Sequence, residues 1–214
     1  MSNLGGAVHI SKYTWFLMFL PALPILLETD YLVSLWLGDV PPYTVIFCQL
    51  IVISTLISGL GNGLGAVVQA TGKIKYFQII LSTTSLLSLP IAYVLFNIGF
   101  PPYSIIIVII TTTAINVVVW QILLKIIIDF NVRSFLKISY LKAFNIAILT
   151  APLFFIHDLF PAGLARFFLF TFFSVCWLLL SIYFAGLEKR EKEMLNQIVK
   201  SIIKKVINTN SLRG

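Results

Sequence analysis

Residues 103–125 read YSIIIVIITTTAINVVVWQILLK, a stretch whose one charge, Lys125, stands at its last position. A membrane-spanning helix needs about 20 mostly apolar residues at about 1.5 Å of rise each, and this stretch meets that length without a proline or glycine. Working outward, similar apolar stretches lie at 13–37, 44–69, 76–98, 140–156 and 164–187, each bounded by charge, glycine or paired prolines. The expected fold is all-α: a polytopic transmembrane bundle of about six spans within residues 1–187, followed by a basic amphipathic tail at 188–214. Two spans are irregular. Pro21 and Pro24 interrupt the first, and Glu28 and Asp30 sit near its far end, so it is expected to be kinked or broken. The fifth is short and contains Pro152, which leaves a re-entrant hairpin with the sixth as the alternative.

Composition agrees with this reading. Of 214 residues, 59% are hydrophobic and 11% charged, and mean hydropathy is +0.99; soluble globular chains carry roughly 25% charged residues. Lys12 is the only lysine or arginine in residues 1–12 and the apolar run beyond it joins more of the same, so the first span is expected to be kept rather than cleaved. Cys48 and Cys176 lie within apolar runs and behave as small hydrophobes, with no disulfide framework implied. With the N-terminus inside, all 15 basic residues except Arg166 fall on the inner side, seven of them in the tail. The positive-inside rule then puts both ends in the cytoplasm. The net charge of +7 is thus a topological signal and calls for no nucleic-acid partner. In the tail, Leu195, Ile198, Ile202, Ile203 and Val206 are spaced by three and four residues, either an interfacial helix against anionic lipid or a terminal helix packing on nothing specific.

The polar residues inside the spans carry whatever chemistry there is. Residues 59–65 read GLGNGLG, but the spacing is not that of a dinucleotide-binding loop, no P-loop lysine follows, and the segment lies within a span. Ser54, Ser58, Asn62 and Ala66 recur at i,i+4, a small and partly polar stripe that either packs closely on another helix or faces a polar cavity. Ser82, Thr83, Thr84, Ser85 and Ser88, with Thr111, Thr112, Thr113 and Asn116, either bond to carbonyls one turn back or line a solvated path; Gln49, Gln69 and Gln121 read either way. Lys125 is spaced to pair with Asp129. Arg166 stands close to Asp158 and His157, to pair with Asp158 or to meet an anionic substrate. Glu28 and Asp30 are exposed near the interface or act as counter-ions to a transported cation or to basic residues elsewhere. His9 and His157 belong to opposite sides, and no HExxH, GxSxG or cysteine pair at ligand spacing occurs. This argues against an enzyme, and neither a metal nor a cofactor is expected.

Two outer loops, LGDVPPYTVI at 37–46 and IGFPPYSII at 98–106, share a glycine, Pro-Pro-Tyr and a hydroxyl residue. Proline in a first helical turn presets φ for helix entry, which explains both copies structurally. The order PALPILLETDYLVSLWLGDVPPYT at 21–44, a glycine-spaced second helix, QATGKIKYFQI at 69–79 and LPIAY at 89–93 resembles the later part of bacterial polysaccharide or O-antigen flippases. These belong to the multidrug, oligosaccharidyl-lipid and polysaccharide exporter superfamily. The resemblance runs over about 13–187 and is carried by 21–93. It implies one half of an alternating-access flippase in the bacterial cytoplasmic (inner) membrane, moving a polyprenyl-diphosphate-linked oligosaccharide from inner to outer leaflet. Its partners would be membrane lipids and a missing N-terminal half or a second copy of the chain. It also implies motif turns at Leu35, Trp36, Leu37, Gly38 and Pro41 and at Ala70, Thr71, Gly72 and Lys73, with Asn62 and Asn116 toward the cavity and Lys125 or Arg166 toward phosphate. The alternatives are a small-molecule exporter of the same superfamily and a noncatalytic membrane scaffold or inactive half-transporter, the last expected if the polar stripe is packed away.

Overall fold

The computed structural model describes residues 2–128, 131–189, 191–194, 196–197 and 201. Among these the regular structure is entirely helical: α1 Ser2–Leu27, α2 Thr29–Leu37, α3 Thr44–Gly59, α4 Asn62–Ala70, α5 Ile74–Asn97, α6 Ser104–Ile128, α7 Val132–Phe135, α8 Leu141–Thr150, α9 Pro152–His157 and α10 Leu164–Ser181. Two wide π segments, Leu136–Tyr140 and Ile182–Gly186, continue α7 into α8 and extend α10. Five helical runs are long and apolar enough to cross a membrane: Val8–Leu27, Ile74–Asn97, Ser104–Ile128, Val132–His157 and Leu164–Gly186. A sixth is added if α3 and α4, bent by 44°, are one span. The chain is a multi-pass helical membrane protein.

Span one is broken, at Glu28 and not at its prolines. Pro21 and Pro24 lie inside α1, and Glu28 leaves the helical region at φ −108°, ψ 19° before α2 resumes. The helix α2 closes on Gly38 at φ +69°, whose N–H reaches the Ser34 carbonyl at 2.9 Å; a side chain there would be strained. Span five differs from expectation. It begins at Val132, eight residues before 140, and is a 26-residue run rather than a short hairpin arm. The Asn131 side chain caps its start by accepting from Ser134 N at 3.1 Å. Arg133 and Lys137, which lie before the expected start at 140, are carried on the helix, and Lys142 Nζ donates to the Ala185 carbonyl at 3.1 Å. Pro152 sits in the first turn of α9, where its missing N–H costs little.

The first span is the axis of the bundle: 50% of it is buried, against 11% of α5. One apolar cluster gathers Trp15, Phe16, Phe19 and Leu23 with Leu56, Ile146 and Leu178. A second joins Val8 with Leu64, Phe77, Leu124 and Phe135 nearer the other end. Between them the GLGNGLG run serves packing. A Cβ on Gly59 would lie 2.8 Å from Met18 Sδ, one on Gly61 3.2 Å from Val117 Cγ2, and one on Gly65 3.6 Å from the Trp120 ring. The bent second span is therefore wedged between α1 and α6, which approach it over glycine. At the far end the two Pro-Pro-Tyr loops meet, with the Tyr43 and Tyr103 rings 5.8 Å apart.

Candidate functional site

The break in span one places Glu28 in the interior. Its side chain is fully buried and accepts a hydrogen bond from Arg166 Nη2 at 3.1 Å, while His157 Nε2 lies 3.0 Å from its other oxygen. Arg166 also donates to the Phe160 carbonyl at 3.0 Å. The other nitrogen of His157 is 3.2 Å from Asp158 Oδ1, on a side chain 84% exposed. With carboxylate oxygens facing both ring nitrogens, both contacts are hydrogen bonds when the imidazole carries two protons. A desolvated carboxylate costs several kcal/mol unless paired and bonded, and the two basic groups supply that pairing. The Phe160 and Phe170 rings close the site from the side, with Phe170 edge-on to His157 at 5.3 Å. An apolar cavity of about 560 Å³, walled by Ile156, Phe160, Pro161, Ala165 and Phe170, opens beside Arg166.

Arg166 thus lies on Glu28 rather than on Asp158, and Asp158 meets His157 instead. Asp30 is exposed and stands apart from this network. Sequence spacing cannot pair residues separated by 138 positions. The available signal was that Glu28 and Arg166 are charges of opposite sign expected at the same membrane side, in the first and the last apolar runs.

A second charged cluster, invisible in the sequence, stands at the opposite end. Lys12, buried on α1, donates to both Glu191 carboxylate oxygens at 2.6 Å. Tyr13 Oη donates to the same carboxylate at 2.6 Å, the Glu188 N–H at 2.7 Å, and His9 Nδ1 lies 3.1 Å away. Burial works against the charged form of Glu191, but the Glu188 amide, Lys12 and Tyr13 outweigh it and bring its pKa down to about 2. The first tail residues are thereby clasped to the start of span one. The amphipathic face Leu195, Ile198, Ile202, Ile203 and Val206 lies outside the described residues, as do Asp129 and the side chain of Ala66.

No family model matches the chain, and no curated protein or solved structure matches it. Ser58 and Asn62 are exposed at the bend of span two, and the Asn62 amide has only a weak 3.9 Å contact to Met18 Sδ. Asn116 accepts from the Thr84 hydroxyl at 2.6 Å and so ties α6 to α5. Thr83, Ser88, Thr111 and Thr112 bond back to carbonyls of their own helices. Leu35, Trp36, Leu37 and Pro41 are exposed around the Gly38 turn. In the other turn, the Thr71 hydroxyl donates to the Val68 carbonyl at 2.7 Å and accepts from Lys73 N at 3.3 Å. Gly72 takes φ +68° there, and Ala70 and Lys73 are exposed. Lys125 borders a fissure of about 860 Å³ between α6 and the start of span five, with Val118, Gln121, Ile122, Arg133 and Tyr140 among its walls. Gln121 is buried there and donates to Tyr140 Oη at 2.8 Å.

Proposed function

We propose that this chain is one half of an alternating-access translocator and that its cargo is a polyprenyl-diphosphate-linked oligosaccharide carried from the inner to the outer leaflet. The observation that carries the reading is the broken second span, with Ser58 and Asn62 exposed at a 44° bend on a face of small and polar residues that begins at Ser54. An amide left in hydrocarbon without partners costs several kcal/mol. Such a face is stable when it borders a hydrated cavity, and discontinuous spans around a midplane site are what alternating-access transporters use. A scaffold whose polar stripe is packed away would have these residues covered. The sequence resemblance over 21–93 supplies the cargo class, and the physical need is plain: a charged diphosphate and sugar hydroxyls cross hydrocarbon only where protein groups or water replace their hydration. The second wall of the cavity would come from another half or a second copy of the chain. No bond in the cargo changes during this movement.

The test is reconstitution of the chain, and of two copies fused in tandem, into vesicles holding a fluorescent polyprenyl-diphosphate oligosaccharide in one leaflet. Chain-dependent appearance of the probe in the opposite leaflet, reduced by Asn62→Leu, is the expected result. Equal leakage with and without protein in both formats would refute the reading.

A further inference from the structure

The fissure between α6 and the start of span five has a polarity gradient along the membrane normal. On α6 its wall residues Val118, Gln121, Ile122 and Lys125 follow three- and four-residue spacing, one face of the helix. Lys125 lies three residues before the last residue of α6, Ile128, and Arg133 is the second residue of α7 on the opposite wall. Two cations therefore flank the mouth at about the same depth. From Ile128 back to Val118 is ten residues, about 15 Å at helical rise, or half of a hydrocarbon core about 30 Å thick. Over that depth the walls are aliphatic, apart from Gln121 and Tyr140, whose amide and hydroxyl are bonded to each other. Among the described residues neither Lys125 nor Arg133 has a side-chain hydrogen bond or ion pair; Asp129, spaced to pair with Lys125, lies outside them.

We infer that this fissure binds one anionic phospholipid of the surrounding bilayer, its phosphate between Lys125 and Arg133 and an acyl chain along Val118, Ile122 and Leu136. The charge is complementary, and the depth of apolar wall below the cations matches an amphiphile rather than a free anion. A volume of about 860 Å³ lies within the usual range of small-molecule sites. A basic pocket between spans at a membrane boundary is a recurrent way of holding a lipid headgroup. The inference does not rest on the transport reading, because the occupant is a bilayer lipid and not the cargo.

The experiment is native mass spectrometry of the full chain released from micelles, titrated with phosphatidylglycerol, with phosphatidylcholine as the neutral comparison. The wild-type chain is expected to retain one phosphatidylglycerol above the background set by phosphatidylcholine. Lys125→Gln with Arg133→Gln should weaken that binding about 30-fold, roughly fivefold for each cation removed from a lipid surface. Lys125→Arg with Arg133→Lys should restore it. The same loss from Lys75→Gln with Lys137→Gln, exposed basic residues outside the fissure, would overturn the inference by showing that total charge is enough. Unchanged binding in the Lys125/Arg133 glutamine variant would overturn it too, as would displacement of the lipid by millimolar inorganic phosphate. Retention of a polyprenyl diphosphate that excess phosphatidylglycerol does not displace would make the site one for cargo and likewise overturn it.

Discussion

At Glu28 one carboxylate decides whether two basic side chains can be buried. Its oxygens receive Arg166 and face His157, and the surrounding walls are aromatic, so removing it strands a guanidinium in an apolar setting. Glu28→Ala should lower stability by about 3–5 kcal/mol, the usual effect of breaking a buried pair from one side. Glu28→Leu combined with Arg166→Met should recover most of that loss, because nothing charged is then left without its partner. Equilibrium unfolding of both variants in mixed micelles checks this; equal losses would mean that the pair is not what holds the two helices together. Glycines differ in the same residue-specific way. A methyl on Gly186 would meet Phe16 Cζ at 2.9 Å and Ile146 Cδ1 at 3.0 Å, a ring and a branched side chain both buried in the core. The nearest obstacle at Gly59 is the thioether of Met18, which can swing aside. Gly186→Ala should therefore cost about 1–3 kcal/mol by overpacking and Gly59→Ala distinctly less, in the same unfolding measurement.

Between elements, the tail and the first span are joined through Glu191. Its pKa near 2, against an ordinary value of 4.5, means that the clasp contributes fully above about pH 4.5 and is lost as pH falls toward 2. Hydrogen exchange at the Glu188 amide, which donates to Glu191, should show protection at pH 7 and at pH 5 and loss of it near pH 2 after correction for the intrinsic rate. Glu191→Leu, which removes the acceptor, should lose the protection already at pH 7; protection that persisted in that variant would mean the carboxylate is not the fastener. This clasp marks the boundary of what the sequence disclosed. Apolar run length identified the spans, because length and hydrophobicity are local properties, and the charge of Glu28 marked the break in span one. The start of span five was hidden because the charges of Arg133 and Lys137 mark a boundary by composition, whereas both are carried on the helix. Lys12 and Glu191 are 179 positions apart, and no periodicity links them. The threonines of α5 and α6 were legible as residues that bond to their own helices, but the Thr84–Asn116 bridge needed the register of two helices.

For the molecule as a whole, the question is what lies against the open side of span two. The described chain buries the glycines of this span against α1 and α6 while leaving Ser58 and Asn62 outward, so the small residues pack inward and the polar ones face away. If that outward face borders a hydrated cavity, a cysteine placed there should behave as a thiol in water. If it borders lipid, apolar surroundings should raise the thiol pKa and suppress the reactive thiolate about tenfold for each unit of rise. With Cys48 and Cys176 replaced by serine, Ser58→Cys and Asn62→Cys in membranes should react with a charged maleimide at least about tenfold faster than Leu86→Cys. Leu86 serves as the reference because it is an apolar side chain, 72% exposed on α5. Equal, slow reaction at all three positions would put lipid against the bend and remove the main support for a cavity. Fast reaction at 58 and 62 that is suppressed by an excess of lipid-linked oligosaccharide would bring cargo and cavity together, since a molecule occupying the hydrated face must exclude the reagent from it.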